Sequence, residues 1–258
     1  MDFGMPTILE LPTLRENAAL CAKLGLQFVE INMNFPQFQT HAMDVEEVLA
    51  LRAEFGIYFT IHLEEAFDPC AFHPVIREAN LTVAMQSADF AVAIGAPVVN
   101  FHLNKGIFVK LPDEKVYLFE RFLSHYENCM RTFAAICTKR AGIKYSIENT
   151  GGFAPFEISA IKALLEEPCF FLTFDVGHSH AALDIDEPFY MEHKNRLIHM
   201  HLHDAKGKHN HLTLGDGEIN LDARLALAQV CGCRIVLETK TVEALHKSIA
   251  WLHKTYKL

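Results

Sequence analysis

The chain is short of the features that would send it to a membrane, out of the cell or onto nucleic acid. No segment of its 258 residues approaches the ~20 consecutive apolar residues of a membrane span. The start, "MDFGMPTILELPTL", has neither a basic opening nor a sustained apolar run, so no export leader is expected and the cytoplasm is the expected location. Basic residues are outnumbered, 23 Lys and Arg against 32 Asp and Glu, for a net charge of −9. A broad surface for phosphate backbones or anionic lipid needs the opposite balance. The seven cysteines are odd in number and scattered, and the one close pair, Cys231 and Cys233, leads into a strand-like run. Reduced, buried thiols are expected rather than disulfides or a thiolate metal site. No Gly-rich phosphate loop follows the first strand-like segment, which argues against a doubly wound open sheet, the runner-up fold. No linker or compositional break divides the chain, so one domain, 1–258, is expected.

What remains is a rhythm. Short runs rich in Val, Ile and Phe alternate with longer amphipathic stretches. The runs are Phe3–Met5, "FVEI" (28–31), "IYFTIH" (57–62), "PVVNFH" (97–102), "IKYSIE" (143–148), "CFFLTFD" (169–175), "RLIHMH" (196–201) and "CRIVLE" (233–238). They are near-continuously apolar, as strands covered on both faces are. The intervening patterns predict helices over 14–24, after a plausible Asp44 cap to a stop at Gly56, over 75–94, over 113–141 and over 242–256. Eight strand–helix repeats in about 250 residues predict an α/β fold, a single (β/α)8 TIM barrel.

In such a barrel, chemistry sits where the strands end. At or next to the ends of the runs stand Glu30, His62, His102, Glu148, Asp175, His201 and Glu238. One polar residue at a strand end is usually a satisfied structural group; seven carboxylates and imidazoles brought to one mouth are not explained that way. Buried carboxylates need partners, and divalent cations supply them: zinc for the imidazole-rich set, Mn or Mg as the carboxylate share rises. His178 follows Asp175 by three residues. "IHMHLHDAKGKHNHLTLGDG" (198–217) adds His199, His203, His209 and His211. In an extended loop His209 and His211 face one side. His199 reads as a structural barrel residue, and His203 and Asp204 as groups that orient ring nitrogens.

These positions resemble the xylose isomerase-like TIM-barrel superfamily, and within it the endonuclease-IV-like branch (AP endonuclease family 2). The resemblance rests on "TIH" with His62, "NFH" with His102, "IEN" with Glu148, "FDVGH" with Asp175 and His178, "HMHLHDAK" with His201, "HNHLTLGDG" with His211 and "LET" with Glu238. It implies up to three zinc ions. The first would lie on His62, His102 and Glu148, the second on Glu148, Asp175, His201 and Glu238, and the third on His178, His209 and His211. His209 stands where that branch carries Asp. The implied activity is hydrolysis of a phosphate ester by a metal-bridging hydroxide. The substrate is expected to be small and phosphorylated or sugar-like. DNA is disfavoured, because the loop "NMNFPQFQTH" has no Lys or Arg and "HLEEAFDPCAFH" is acidic.

The alternative implied by the same superfamily is a sugar isomerase or epimerase. It needs one ion, on Glu148, Asp175, His201 and Glu238. Glu148 and Glu238 would be the catalytic acid and base, and His178 would bind substrate oxygen. The ketose 3-epimerase pattern has Arg six residues after the strand-seven histidine; here that position is Gly207, with Lys206 beside it as the candidate contact for an anionic group. A non-catalytic metal-binding scaffold is a third reading, and it leaves this many ligand-type residues unexplained.

Overall fold

The structure, a computed structural model, describes residues 1–140 and 142–256. Eight parallel strands close on themselves: β1 (Phe3–Pro6), β2 (Phe28–Asn32), β3 (Tyr58–His62), β4 (Val98–His102), β5 (Lys144–Glu148), β6 (Phe170–Asp175), β7 (Leu197–Leu202) and β8 (Arg234–Leu237). Each pairs with its sequence neighbours, and β1 closes the ring by pairing with β8 in the register Phe3↔Ile235. The chain is the (β/α)8 TIM barrel that the alternating runs predict, with strand limits within a residue or two of expectation. Strand residues such as Val29, Ile31, Phe59, Ile61, Val99, Phe101, Ile147 and Leu172 are buried. They are sealed by the helices outside, which is why the runs read as continuously apolar.

Local signals place the helices. Asp44 caps Val45–Phe55 by accepting from the Glu47 amide at 3.0 Å. That helix stops at Gly56 and Pro74–Ile94 stops at Gly95, both glycines left-handed, with φ of +64° and +67°. The continuous helix expected over 113–141 does not form. An antiparallel hairpin (Phe108–Lys110 with Lys115–Tyr117) and a short helix (Leu118–Arg121) precede a helix over Leu123–Cys137. "LPDE" makes the turn, with the Leu111 amide bonded to the Glu114 carbonyl at 2.8 Å, and Pro at the second position of the turn favours it over helix. Ala141, the expected last residue of that helix, lies outside the described residues. A second excursion follows β7: Asp204–Lys206 pairs antiparallel with His209–Leu212. Among the described residues no helix is long and apolar enough to cross a membrane.

Candidate metal centre

Strand direction and register bring the acids and imidazoles that end β3–β7, and Glu238 after β8, to one end of the barrel, with Glu30 of β2 one level deeper. His102 pairs in register with Glu148, and Asp175 with His201. Glu238 lies one residue beyond β8. The ligand atoms of Glu148, Asp175, His201 and Glu238 all lie within 4.8 Å of one another. His201 is the hub. Its Nδ1 is 3.1 Å from Glu148 Oε1, 3.1 Å from Glu238 Oε2 and 3.9 Å from Asp175 Oδ2.

Three carboxylates around one imidazole nitrogen are repulsive unless positive charge sits among them. Burial would raise both glutamates, but His201 holds Glu148 and Glu238 well below the usual carboxylate range. Burial would lower His201, and Glu148, Glu30 and Glu238 outweigh it, lifting the imidazole well above its ordinary value. The site therefore stabilises positive charge at this point. His201 Nδ1 and Glu238 Oε2 are buried without a hydrogen-bond partner. Ligand atoms about 2.1 Å from a common ion stand about 3–3.5 Å apart, which matches the two 3.1 Å separations. The residues present thus fit a divalent cation, and a metal-capable cluster is a feature of this chain.

Around this cluster the other histidines are ordered by depth. His199, His201 and His203 alternate along β7 and its continuation, so all three point inward at successive levels. Deepest, His199 Nε2 donates to Glu30 Oε2 at 2.9 Å. Burial pulls this imidazole down. Uppermost, His203 Nε2 donates to Asp175 Oδ1 at 3.0 Å, and its Nδ1 accepts from the His211 amide at 2.7 Å. Both His203 nitrogens are thereby committed. A β-carbon at Gly177 would fall 1.9 Å from His203 Cε1, so the glycine of "FDVGH" is required for this ring to reach Asp175.

His62 and His102 flank Glu148 on its other oxygen, with Nε2 atoms 3.3 and 3.2 Å from Oε2. Asn100 Nδ2 donates to the same oxygen. The His62 Nδ1 is 2.7 Å from the Leu63 carbonyl. Burial would lower His62, but Glu148 outweighs it and lifts the imidazole to about 9.

The expected ligands of a third ion are brought together only in part. His178 and His211 face each other with ring centroids 5.2 Å apart, and His178, His203 and His211 form a cluster. Burial pushes His211 down to about 4. His209 is exposed and enters none of the metal-capable clusters among the described residues. The expectation that His209 and His211 face one side assumes continuous alternation. His211 instead has φ +55°, and the hairpin register shifts between Asp204 and Lys206. The Asp204 carbonyl lies 3.4 Å from His203 Nδ1, while its carboxylate turns away from the rings and accepts from the amides of Ala205, Gly215, Gly217 and Ile219 at 2.9–3.1 Å.

A cleft of about 470 Å³ opens over the centre, walled by His62, His102, Glu148, His178, His211 and Glu238. Its cationic side chains are Lys105, which donates to the Gly152 carbonyl, and Lys240, 2.8 Å from Glu238 Oε1. Lys206 is exposed on the hairpin and is not part of the wall. Neither Lys105 nor Lys240 ends a strand, so no periodicity marks them.

A strand-end metal-capable centre in a closed barrel defines the class, and the sequence fits it. Residues 18–255 match the family model described as xylose isomerase-like TIM barrel, and the chain belongs to that family. No curated protein matches the sequence. Among solved structures, a D-tagatose 3-epimerase-like protein superposes with a TM-score of 0.76 at 21% identity, covering 98% of this chain and 96% of that one. The 3-keto-D-glucoside 4-epimerase of E. coli gives 0.76 at 15%, covering 98% and 99%. A D-allulose 3-epimerase from Methylomonas sp. gives 0.74 at 15%, covering 100% and 98%. The expectation of a phosphate-ester hydrolase with a three-zinc centre is corrected here. The three solved structures just named, matched over nearly their whole length, are two sugar epimerases and an epimerase-like protein, and His209 stays outside the centre.

Proposed function

We propose that this protein is a divalent-metal-dependent epimerase or isomerase of a small, unphosphorylated sugar, a ketose in the first instance. The observation that carries the reading is the convergence of Glu148, Asp175, Glu238 and His201 Nδ1 on one point. The two glutamates come from strands three places apart around the barrel and border the same cleft. Support comes from the sugar epimerases that share the fold.

Glu148, Asp175, His201 and Glu238 would hold the ion. With three carboxylates to one imidazole, the set suits Mn or Mg better than zinc. When bound, the ion supplies Lewis acidity that polarises the sugar carbonyl and acidifies its neighbouring C–H. The protein moves the proton. One glutamate takes it from the carbon beside the carbonyl, leaving an enediolate. The other relays a proton from solvent to the opposite face, and the first then releases its own proton to solvent. His62, His102 and Asn100 orient Glu148 through its Oε2. His178 and neutral His211, on the cleft wall, are placed to meet sugar hydroxyls.

The test is incubation with a panel of ketohexoses and ketopentoses and Mn2+ in D2O. An epimer or aldose should form with deuterium at the reacting carbon. Chelator should abolish the reaction, and Glu238→Gln should lower turnover by roughly 10²–10⁴-fold. Absence of both product and exchange across the panel, with metal bound, rejects the reading.

A further inference from the structure

The barrel holds a buried carboxylate that the proposed reaction does not use. Glu30 is 2% exposed and lies below the cleft floor. Strand β2 runs on to Asn32, which reaches the cleft, so Glu30 sits one inward-facing level deeper. Its Oε2 accepts from Thr60 Oγ1 at 3.1 Å and from His199 Nε2 at 2.9 Å. Its Oε1 lies 2.7 Å from His201 Nε2, though the N–H is not aligned for a regular hydrogen bond. His201 is thus clamped edge to edge, with Glu30 on one nitrogen and the three-carboxylate cluster on the other.

We infer that Glu30 is a positioning residue for the metal, acting through His201. An imidazole nitrogen 2.7 Å from a carboxylate oxygen must carry the proton there, because two lone pairs at that distance repel. Neutral imidazole has one N–H, so Nδ1 is left with its lone pair directed at the cluster. The carboxylate also makes the ring a stronger donor toward a cation. Thr60 and His199 occupy the second oxygen of Glu30, and this holds Oε1 toward His201. Glutamine cannot reproduce the arrangement. It offers one acceptor oxygen where three donors converge, and its NH2 group would oppose either His199 or His201. The inference rests on the metal assignment made above and not on the identity of the sugar.

The test measures Mn2+ binding to metal-free protein by competition with a fluorescent chelator, for wild type, Glu30→Gln and Ser146→Ala. Ser146 is buried at a similar depth and bonds Thr173 rather than Glu30, so its variant reports the effect of loosening the barrel interior alone. Wild type is expected to bind one ion. Glu30→Gln should bind 10–100-fold more weakly, about the usual effect of losing such a partner, and Ser146→Ala should bind nearly as wild type. Equal affinity in Glu30→Gln and wild type, or equal weakening in both variants, overturns the inference. A wild type that binds no ion instead rejects the metal assignment itself. A second measurement serves if Glu30→Gln does not fold: long-range 1H–15N spectra of the Mg2+-loaded wild type should show His201 protonated at Nε2. Protonation at Nδ1 overturns the inference as well.

Discussion

At the scale of single residues, depth within the barrel decides what a side chain does. In "IHMHLH" the alternation points His199, His201 and His203 inward, and nothing local distinguishes them. Yet one meets Glu30, one the carboxylate cluster and one Asp175. Their type and direction are legible in the sequence; their partners come from other strands and are not. His211 is less legible still, because its left-handed backbone breaks the alternation from which its direction would be read. Asp204 shows what a residue-scale contact contributes. Four amides converge on its carboxylate, and most belong to the loop that links the hairpin strand His209–Leu212 to the helix Leu221–Cys231. Asp204→Ala leaves those donors without their acceptor and should destabilise the fold by roughly 2–4 kcal/mol, allowing for water replacing part of the loss. Urea denaturation checks this; a loss below about 1 kcal/mol would show that the amides are readily resolvated.

At the scale of elements, periodicity identifies a segment covered on one consistent side and fails where a turn intervenes. The barrel strands are framed by Gly stops and caps that name their own positions, as Asp44, Gly56 and Gly95 do. The stretch after Asp113 has helical spacing, but "LPDE" and the short runs beside it fold back as a hairpin. The helix Pro155–Leu164 offers an element-scale prediction. Its first turn contains Glu157, buried, whose Oε2 accepts from the Ala154 amide at 2.7 Å. Burial pushes this carboxyl up to about 7, with Asp186 adding to the effect and the Ala154 bond and Lys105 opposing it. A carboxyl that holds its proton more tightly folded than unfolded favours the fold at low pH. That contribution is complete below the unfolded value of about 4.3 and is lost as pH rises through 7. Glu157→Gln keeps an acceptor for the Ala154 amide and has no proton to lose. The stability of the variant relative to wild type should therefore increase between pH 5 and pH 8, by at most about 3 kcal/mol. Denaturation curves at the two pH values measure it, and a pH-independent difference would mean that Glu157 is ionised at little cost in the folded protein.

At the scale of the whole molecule, the metal-capable cluster exists only because the barrel closes. Glu148 and Glu238 come from β5 and the end of β8, with Asp175 and His201 on the strands between. β8 is held in place by β7 on one side and by β1, from the other end of the chain, on the other. No short segment of the unfolded chain can present all four ligands together, so a cation binds the closed barrel and scarcely binds the unfolded chain. Such linkage stabilises the native state by RT ln(1 + [M]/Kd), about 2.7 kcal/mol at a hundredfold excess over Kd. For a chain of this size that corresponds to a rise in Tm of roughly 5–10 °C. Mn2+ added to chelator-treated protein should produce this shift, and its size should grow with the logarithm of the metal concentration. Asp175→Asn should lose most of the shift, because one of the three carboxylates is then neutral. His209→Ala should keep all of it, because that side chain lies on the exposed hairpin. A His209→Ala shift as small as that of Asp175→Asn would place His209 at the ion after all. No shift in wild type would mean that the three carboxylates are neutralised by protonated His201 alone, and that the barrel carries no metal at this point.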